Sequence, residues 1–295
     1  MPTLAVAVCT LDRPESLRRC LDSVARQARP PDEVLVVDAS AAAPAARAEL
    51  PLRSLRSSPG LTVQRNVALD ATTSEVIVFV DDDCELEPDY LAELERAFDD
   101  ETVVAAGGRF LNPPAPRNRL QAVLADLFGI PSTGSGRFRR STFPTIPCDA
   151  RERDVECLSG GNMALRREVA AGLRFDERLT GFGYCEDDDI ARRIGREGRI
   201  RYVPEATLWH RPQRRRAGDD PAIYRSFVEN AWYLRRSNWP QSRLTDAAFV
   251  WAAVGLVLRY AAERRFAAAR GAAGGVVSLR LLGTPLRWLD EREGL

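Results

Sequence analysis

The chain has 295 residues, 42 basic and 42 acidic side chains and 45% hydrophobic residues, which excludes intrinsic disorder, a collagen-like fibre and a small disulfide scaffold. A formal net charge of +0 removes the uniform positive field that sequence-independent nucleic-acid binding relies on, so no nucleic-acid partner is expected. All 42 basic side chains are arginines, and without lysine a Schiff-base or other catalytic lysine is excluded.

Residues 3–10 (TLAVAVCT) form an apolar, β-branched run, followed by Asp12-Arg13-Pro14-Glu15. An N-cap Asp12, a first-turn Pro14 and a Glu three residues on signal a helix start, with Leu17, Cys20, Leu21 and Val24 at helical spacing. Pro30-Pro31 ends that helix before a second strand over 33–38, completing a βαβ unit. A helix over 61–71, a buried strand over 75–80, a helix over 88–98 and a strand over 103–107 continue the alternation. This pattern predicts an α/β fold: a mostly parallel, Rossmann-like sheet flanked by helices, with ligands beyond the carboxyl ends of the strands. Thr10-Leu11-Asp12, Asp38-Ala39-Ser40 and Asp81-Asp82-Asp83 all fall at that edge.

From Asn112 to about Arg153 the composition turns loop-rich, with Pro-Pro-Ala-Pro and Pro-Ser-Thr-Gly-Ser-Gly stretches. Periodicity returns with the segment 157–163, a helix near 166–171, the acidic run Glu186-Asp187-Asp188-Asp189 opening another helix, and strands near 200–203 and 207–209. From Ala222 onward the pattern is helical, broken at Pro240. The expected division is a first half of the α/β domain over 1–108, a second half over 109–220, and a helical extension over 221–295.

Six cysteines with no CxxC pair read as reduced thiols, which points to a cytoplasmic setting. The N-terminus has no basic n-region, so the mature chain is expected to begin there. The longest apolar run, 247–258, is shorter than the roughly 20 residues of a membrane span.

Asp81-Asp82-Asp83 follows the apolar strand VIVFV and sets hard carboxylate oxygens at the ligand edge, which suits Mg2+ or Mn2+ bound together with a diphosphate; an acidic helix cap is the plainer alternative. Four consecutive acids at 186–189 exceed what a helix dipole needs and repel one another, which raises a carboxylate toward general-base range. His210 is the only histidine, and taken alone reads as a packed or surface residue. A zinc site from His210 with Cys148, Cys157 and Cys185 lacks the close ligand pairs of structural zinc.

In order along 3–212, the segments AVAVCTLDRPESLRRCLDSVARQ, EVLVVDAS, GLTVQRNVAL, VIVFVDDDCEL, LSGGNMALRREV, FDERLTGFGYCEDDDIARRI and VPEATLWHRP resemble a family 2 glycosyltransferase of the GT-A fold. The resemblance implies a nucleoside-diphosphate-sugar donor, a hydroxyl acceptor, Mn2+ or Mg2+, and usually inversion. It implies nucleotide-sugar contacts from Thr10, Asp12, Arg13, Asp38, Arg65, Asp81, Asp82, Gly161 and Asn162. Metal ligands would come from Asp83, Asp81 and His210, and catalysis from Asp187 as base beside Glu186. The register within each acidic run stays open by one residue, and Ala39 stands where the family usually carries a second polar residue.

Absence of GxGxxG after the first strand argues against a dehydrogenase, and CTLDRP with no lysine argues against a sugar-nucleotide nucleotidyltransferase. A catalytically silent sugar-nucleotide-binding or scaffold protein would not need acids at both motifs. The acceptor is expected to be a glycan, a lipid-linked saccharide such as a polyprenyl-linked glycan, or a small molecule. Apolar stretches with arginines over 241–285 read equally as a peripheral membrane contact at the inner face of the cell membrane or as helices packed on the catalytic domain.

Overall fold

The computed structural model describes residues 1–41, 50–112, 119–179, 181, 183–211 and 220–281. The Pro-rich stretch 113–116, Thr180 and Phe182 of the glycine-rich segment, Pro212 and residues 282–285 of the C-terminal apolar stretch lie outside the described residues.

Among the described residues the strands are β1 (Leu4–Thr10), β2 (Glu33–Asp38), β3 (Leu52–Arg56), β4 (Val76–Asp81), β5 (Cys84–Leu86), β6 (Val103–Phe110), β7 (Ser132–Thr133), β8 (Thr145–Ile146), β9 (Arg153–Val155), β10 (Asn162–Arg166) and β11 (Arg199–His210). The helices are α1 (Pro14–Ala25), α2 (Leu61–Ala71), α3 (Tyr90–Ala97), α4 (Arg119–Phe128), α5 (Arg167–Leu173), α6 (Glu186–Ile194), α7 (Pro221–Asn238), α8 (Arg243–Ala262) and α9 (Phe266–Leu281). They group into two compact units. A sheet unit lies within Met1–Asn118, Pro131–Phe138 and Pro144–Arg214, and a helical unit within Arg119–Ile130, Arg139–Phe143 and Arg215–Leu295.

In the sheet unit the strand order is β3-β2-β1-β4-β10-β6-β11-β5, with β9 beside β11. Strands β3, β2, β1 and β4 run parallel, as do β6 and β11, while β10 runs antiparallel between β4 and β6. The mostly parallel α/β sheet expected from the alternation is present. Side chains on β1 and β4 alternate between two cores: Leu4, Val6, Val8, Val76, Val78 and Val80 pack with α1 and α3, and Ala5, Ala7, Ile77 and Phe79 pack with α2, α5 and α6. Both faces are covered, so the central strands are apolar throughout.

Three elements depart from the sequence expectation. The segment GGNMALR turns into strand β10, whose Asn162 lies opposite Val80 at the ligand edge. The two expected strands near 200–209 are one strand, β11, whose pairing to β6 shifts register between Tyr202 and Thr207, around Pro204. The expected N-cap Asp12 lies one residue too early: Arg13 occupies the cap position of α1 and Asp12 takes a left-handed φ of 54°.

The helical unit draws α4 out of the segment read as loop. Phe128 stacks on Trp251 with ring centroids 4.8 Å apart, and the Trp251 indole N–H donates to the Leu127 carbonyl at 2.9 Å. Gly255 permits this approach, because a Cβ there would meet Phe128 at 2.4 Å. Phe143 stacks against Phe227 and Phe249, so the face of α8 bearing Phe249, Ala252, Ala253 and Leu256 is buried. By length and composition alone α8 is long and apolar enough to cross a membrane, as is the core helix of many soluble proteins.

Tyr90 on α3 donates its hydroxyl to Asn162 Oδ1 at 2.6 Å, tying a flanking helix to β10. Tyr90→Phe is expected to cost about 0.5–1.5 kcal/mol, read as a lower urea midpoint at unchanged m-value. An unchanged midpoint would show that the bond contributes nothing to the sheet unit.

Candidate active site

Parallel register brings the polar ends of β1, β2 and β4 into one row. Thr10 lies opposite Asp38, and Cys9 opposite Asp81. The side chain of Gln64, on α2, donates to the Thr10 and Val37 carbonyls at 2.9 and 2.8 Å and closes the gap between the two strand ends. Sequence reasoning missed this glutamine, although it adjoins Arg65 in GLTVQRNVAL.

Asp38 is 1% exposed and accepts hydrogen bonds from the Ser40 backbone and hydroxyl and from Arg56 Nη1 at 2.9 Å. Ser40 in turn accepts the Asp12 N–H at 2.7 Å. The polar residue that Ala39 lacks is thus supplied one position later. Arg56, on the edge strand β3, is a second residue that sequence reasoning did not single out.

The three aspartates after β4 separate by partner. Asp82 is buried, with one oxygen accepting from Thr10 Oγ1 at 2.8 Å and the other from Arg13 Nη1 at 2.9 Å. Arg13 Nη1 also reaches Asp83 Oδ2 at 3.1 Å, so this guanidinium bridges two carboxylates that would otherwise repel. The other Asp83 oxygen faces His210 Nε2 at 3.3 Å. Antiparallel pairing of β11 with β5 places His210 opposite Cys84, which carries the histidine to the residue after Asp83. Burial alone would raise the Asp83 carboxyl, but the hydrogen bond and charge of His210 and the charge of Arg13 outweigh it and hold the group below its ordinary range. The hydrogen bond to Asp83 correspondingly holds the imidazole above its ordinary value.

Asp81 behaves differently. Its side chain is 40% exposed and lies 3.5 Å from Arg65 Nη2, and among the described residues no three His, Cys, Asp or Glu side chains form a metal-holding cluster. Asp83 and His210 come together, no three-residue set that includes Asp81 forms with them among the described residues, and Asp81 lies beside Arg65. The zinc arrangement of His210 with three cysteines is likewise absent among the described residues.

Arg65 is buried. Its guanidinium donates to Glu186 Oε1 and to the Gly160 carbonyl, both at 2.8 Å, and lies 5.6 and 5.3 Å from the ring centres of Phe79 and Phe175. It spans the two acidic motifs from beneath. Burial, with Asp187 adding to it, pushes the Glu186 carboxyl up to about 8 against the pull of Arg65. Asp187 is half-buried and accepts the Gly160 N–H at 3.0 Å. Burial and the charges of Asp187 and Glu186 hold Asp188 well above its ordinary value. Asp189 is buried and ion-paired with Arg193 on the next turn. Cys185, which caps α6, holds a left-handed φ of 72°, a strained backbone at the entry to the acidic run.

Gly161 meets Asp81 so closely that a Cβ would sit 2.4 Å from its carboxylate oxygen. Asn162 is buried inside the sheet: its amide oxygen accepts from Tyr90 and Gly108 N–H, and its amide nitrogen donates to the Gly108 carbonyl at 2.6 Å. Those bonds join β10 to β6 and leave the side chain little to offer a ligand.

The profile of glycosyl transferase family 2 matches residues 5–173, and the chain belongs to that family. Its sheet is that of the GT-A glycosyltransferases. The chain superimposes on a mannosyltransferase, PcManGT from Pyrobaculum calidifontis, solved with GDP-Man and Mn2+, at 18% identity and a TM-score of 0.56, covering 98% of this chain and 78% of that one. GalNAc-T7, solved with UDP, GalNAc and Mn2+, gives 15% identity and a TM-score of 0.62, over 85% of this chain and 50% of that one. Residues 1–349 of S. aureus TarS with UDP-GlcNAc give 14% and 0.57, over 96% and 93%. No curated protein matches the sequence.

Because His210 is the only imidazole, its titration can be followed by proton NMR without assignment. In metal-free protein its pKa is expected above 6.5 and should fall in Asp83→Asn. The charged pair then stabilises the fold fully below the unfolded histidine value and loses that contribution as pH rises through the raised one. A histidine pKa that Asp83→Asn leaves unmoved would remove the pair from the site.

Proposed function

We propose that the chain is an inverting glycosyltransferase that moves a sugar from a nucleoside-diphosphate sugar to a hydroxyl acceptor. The observation that carries this reading is Arg65, a buried cation held between Asp81 and Glu186, which joins the acidic ends of β4 and α6 at one sheet edge.

Asp38, with Ser40 and Arg56 fixing its orientation, is the group set to receive the nucleobase, and Asp81, the most open of the three aspartates, faces the ribose side. Asp83 and His210 offer one hard oxygen and one nitrogen donor, a partial set that leaves the other positions to diphosphate oxygens and water, as Mg2+ and Mn2+ sites commonly do. A divalent ion bound there supplies Lewis-acid neutralisation of the charge on the departing diphosphate. Mn2+ in the PcManGT and GalNAc-T7 structures supports this choice of ion. GDP in one neighbour and UDP in others support a nucleoside-diphosphate donor without selecting its base.

Asp187 accepts the proton of the acceptor hydroxyl as that oxygen attacks the anomeric carbon. The new C–O bond forms on the face opposite the breaking C–O–phosphate bond, so configuration inverts and the nucleoside diphosphate leaves. Asp187 is chosen over its neighbours because Glu186 is tied to Arg65 and Asp189 to Arg193. The Gly160 N–H fixes the Asp187 carboxylate without neutralising it.

Asp187→Asn is expected to lower transfer by about 100-fold or more while nucleotide affinity stays within twofold of wild type, measured by product release and calorimetric titration. If Asp188→Asn is the dead variant and Asp187→Asn is active, the base lies one residue on. His210→Ala and Asp83→Ala should weaken nucleoside-diphosphate binding in Mn2+ but not in chelator, whereas Asp38→Ala should weaken it in both. Equal Mn2+-dependent affinity in wild type and His210→Ala would take the histidine out of the metal site.

A further inference from the structure

The helical unit carries a surface that packing leaves open. After Arg243, no exposed position of α8 bears a charged, hydroxyl or amide side chain; the larger exposed side chains are Leu244, Val250, Trp251, Val254 and Leu258. An ordinary amphipathic helix would place charges there. The opposite face of α8 is buried against the aromatic cluster of Phe143, Phe227 and Phe249, so the helix is anchored on one side and bare on the other. Helix α4, more than 100 residues earlier in the chain, adjoins the bare side through the Phe128–Trp251 stack and adds Val123 and Leu127, each 61% exposed. Two helices thus form one largely apolar face, interrupted on α4 by the exposed Asp126, which is ion-paired with Arg139, and with the polar end of its tryptophan satisfied internally by the Leu127 carbonyl.

Charge says what covers it. Residues 220–281 carry nine arginines and four acids, in a chain whose totals are balanced at 42 each. Arg243, Arg264 and Arg270 are exposed and have no acidic partner among the described residues, unlike the paired arginines of the sheet unit. An apolar face with unpaired arginines on the same unit suits an anionic lipid surface better than a second copy of the same basic unit, which would bring like charges together.

We infer that the exposed face of α4 and α8 seats the protein on an anionic lipid bilayer, lying in the interface without crossing it, independently of what the sheet unit transfers. The buried aromatic face of α8 argues for lying over crossing, since a spanning helix would have to leave those partners.

The test is flotation of the full chain with vesicles of phosphatidylcholine alone and with vesicles of equal parts phosphatidylcholine and phosphatidylglycerol, at low and high salt. Binding is expected on the anionic vesicles at low salt and should be released by alkaline carbonate. Leu258→Glu changes an exposed side chain, so the fold is retained and nucleotide affinity should be unchanged, which separates this inference from the transferase reading. That variant should lose about tenfold or more in vesicle partitioning, the transfer cost of a leucine. Arg243→Gln, Arg264→Gln and Arg270→Gln should each weaken anionic binding roughly fivefold. Three results would overturn the inference: no flotation on anionic vesicles, carbonate-resistant insertion showing a crossing helix, or a dimer in solution that Leu258→Glu separates while vesicles are ignored.

Discussion

A buried guanidinium organises the sheet unit. Removing Arg65 from water is tolerable only because a carboxylate, a backbone carbonyl and two aromatic faces surround it, and leaving it unpaired would cost several kcal/mol. Its partners come from four parts of the chain: Asp81 at the end of β4, Gly160 before β10, Phe175 after α5 and Glu186 at the start of α6. Each of those segments is therefore located by the same group.

From that constraint follows the division of labour among the acids of α6. Glu186 is spent on Arg65, and Asp189 on Arg193. Gly160 serves both sides of the arrangement, since its carbonyl accepts from Arg65 and its N–H donates to Asp187. The carboxylate proposed as base is thus oriented by the residue that also holds the buried cation. A shift of one would move the other, so the acidic run works as a positioned set and not as a patch of negative charge.

What could be read in the sequence was whatever depended on local pattern. The strands β1, β2 and β4 were visible because burial on both faces makes them continuously apolar, and α1 because Leu17, Cys20, Leu21 and Val24 recur at helical spacing. Edge strand β3 was not, since LRSLR is half exposed and carries two arginines; nor was α4, hidden among prolines and glycines that dominate local composition. Strand β10 escaped because GGNM reads as a turn, and only antiparallel pairing to β4 and β6 makes it a strand. At the site, the motif residues were legible but their partners were not. Nothing local indicates that Arg13 would bridge Asp82 and Asp83, that Gln64 would close two strand ends, or that Asn162 would be consumed inside the sheet.

The charge distribution adds a reason for the kind of chemistry proposed. With an excess of arginine in residues 220–281 and a balanced total, the remainder of the chain carries the compensating excess of acid. Much of it converges on the sheet edge, where Arg13, Arg56 and Arg65 are each already engaged by aspartate or glutamate. A diphosphate donor would meet a field of its own sign there, with no lysine anywhere to offset it. In the proposed reading, an additional positive charge at the point where Asp83 faces His210 would offset that field as an anionic donor binds. The same acids that would repel the donor alone would select the donor when it arrives with a divalent cation.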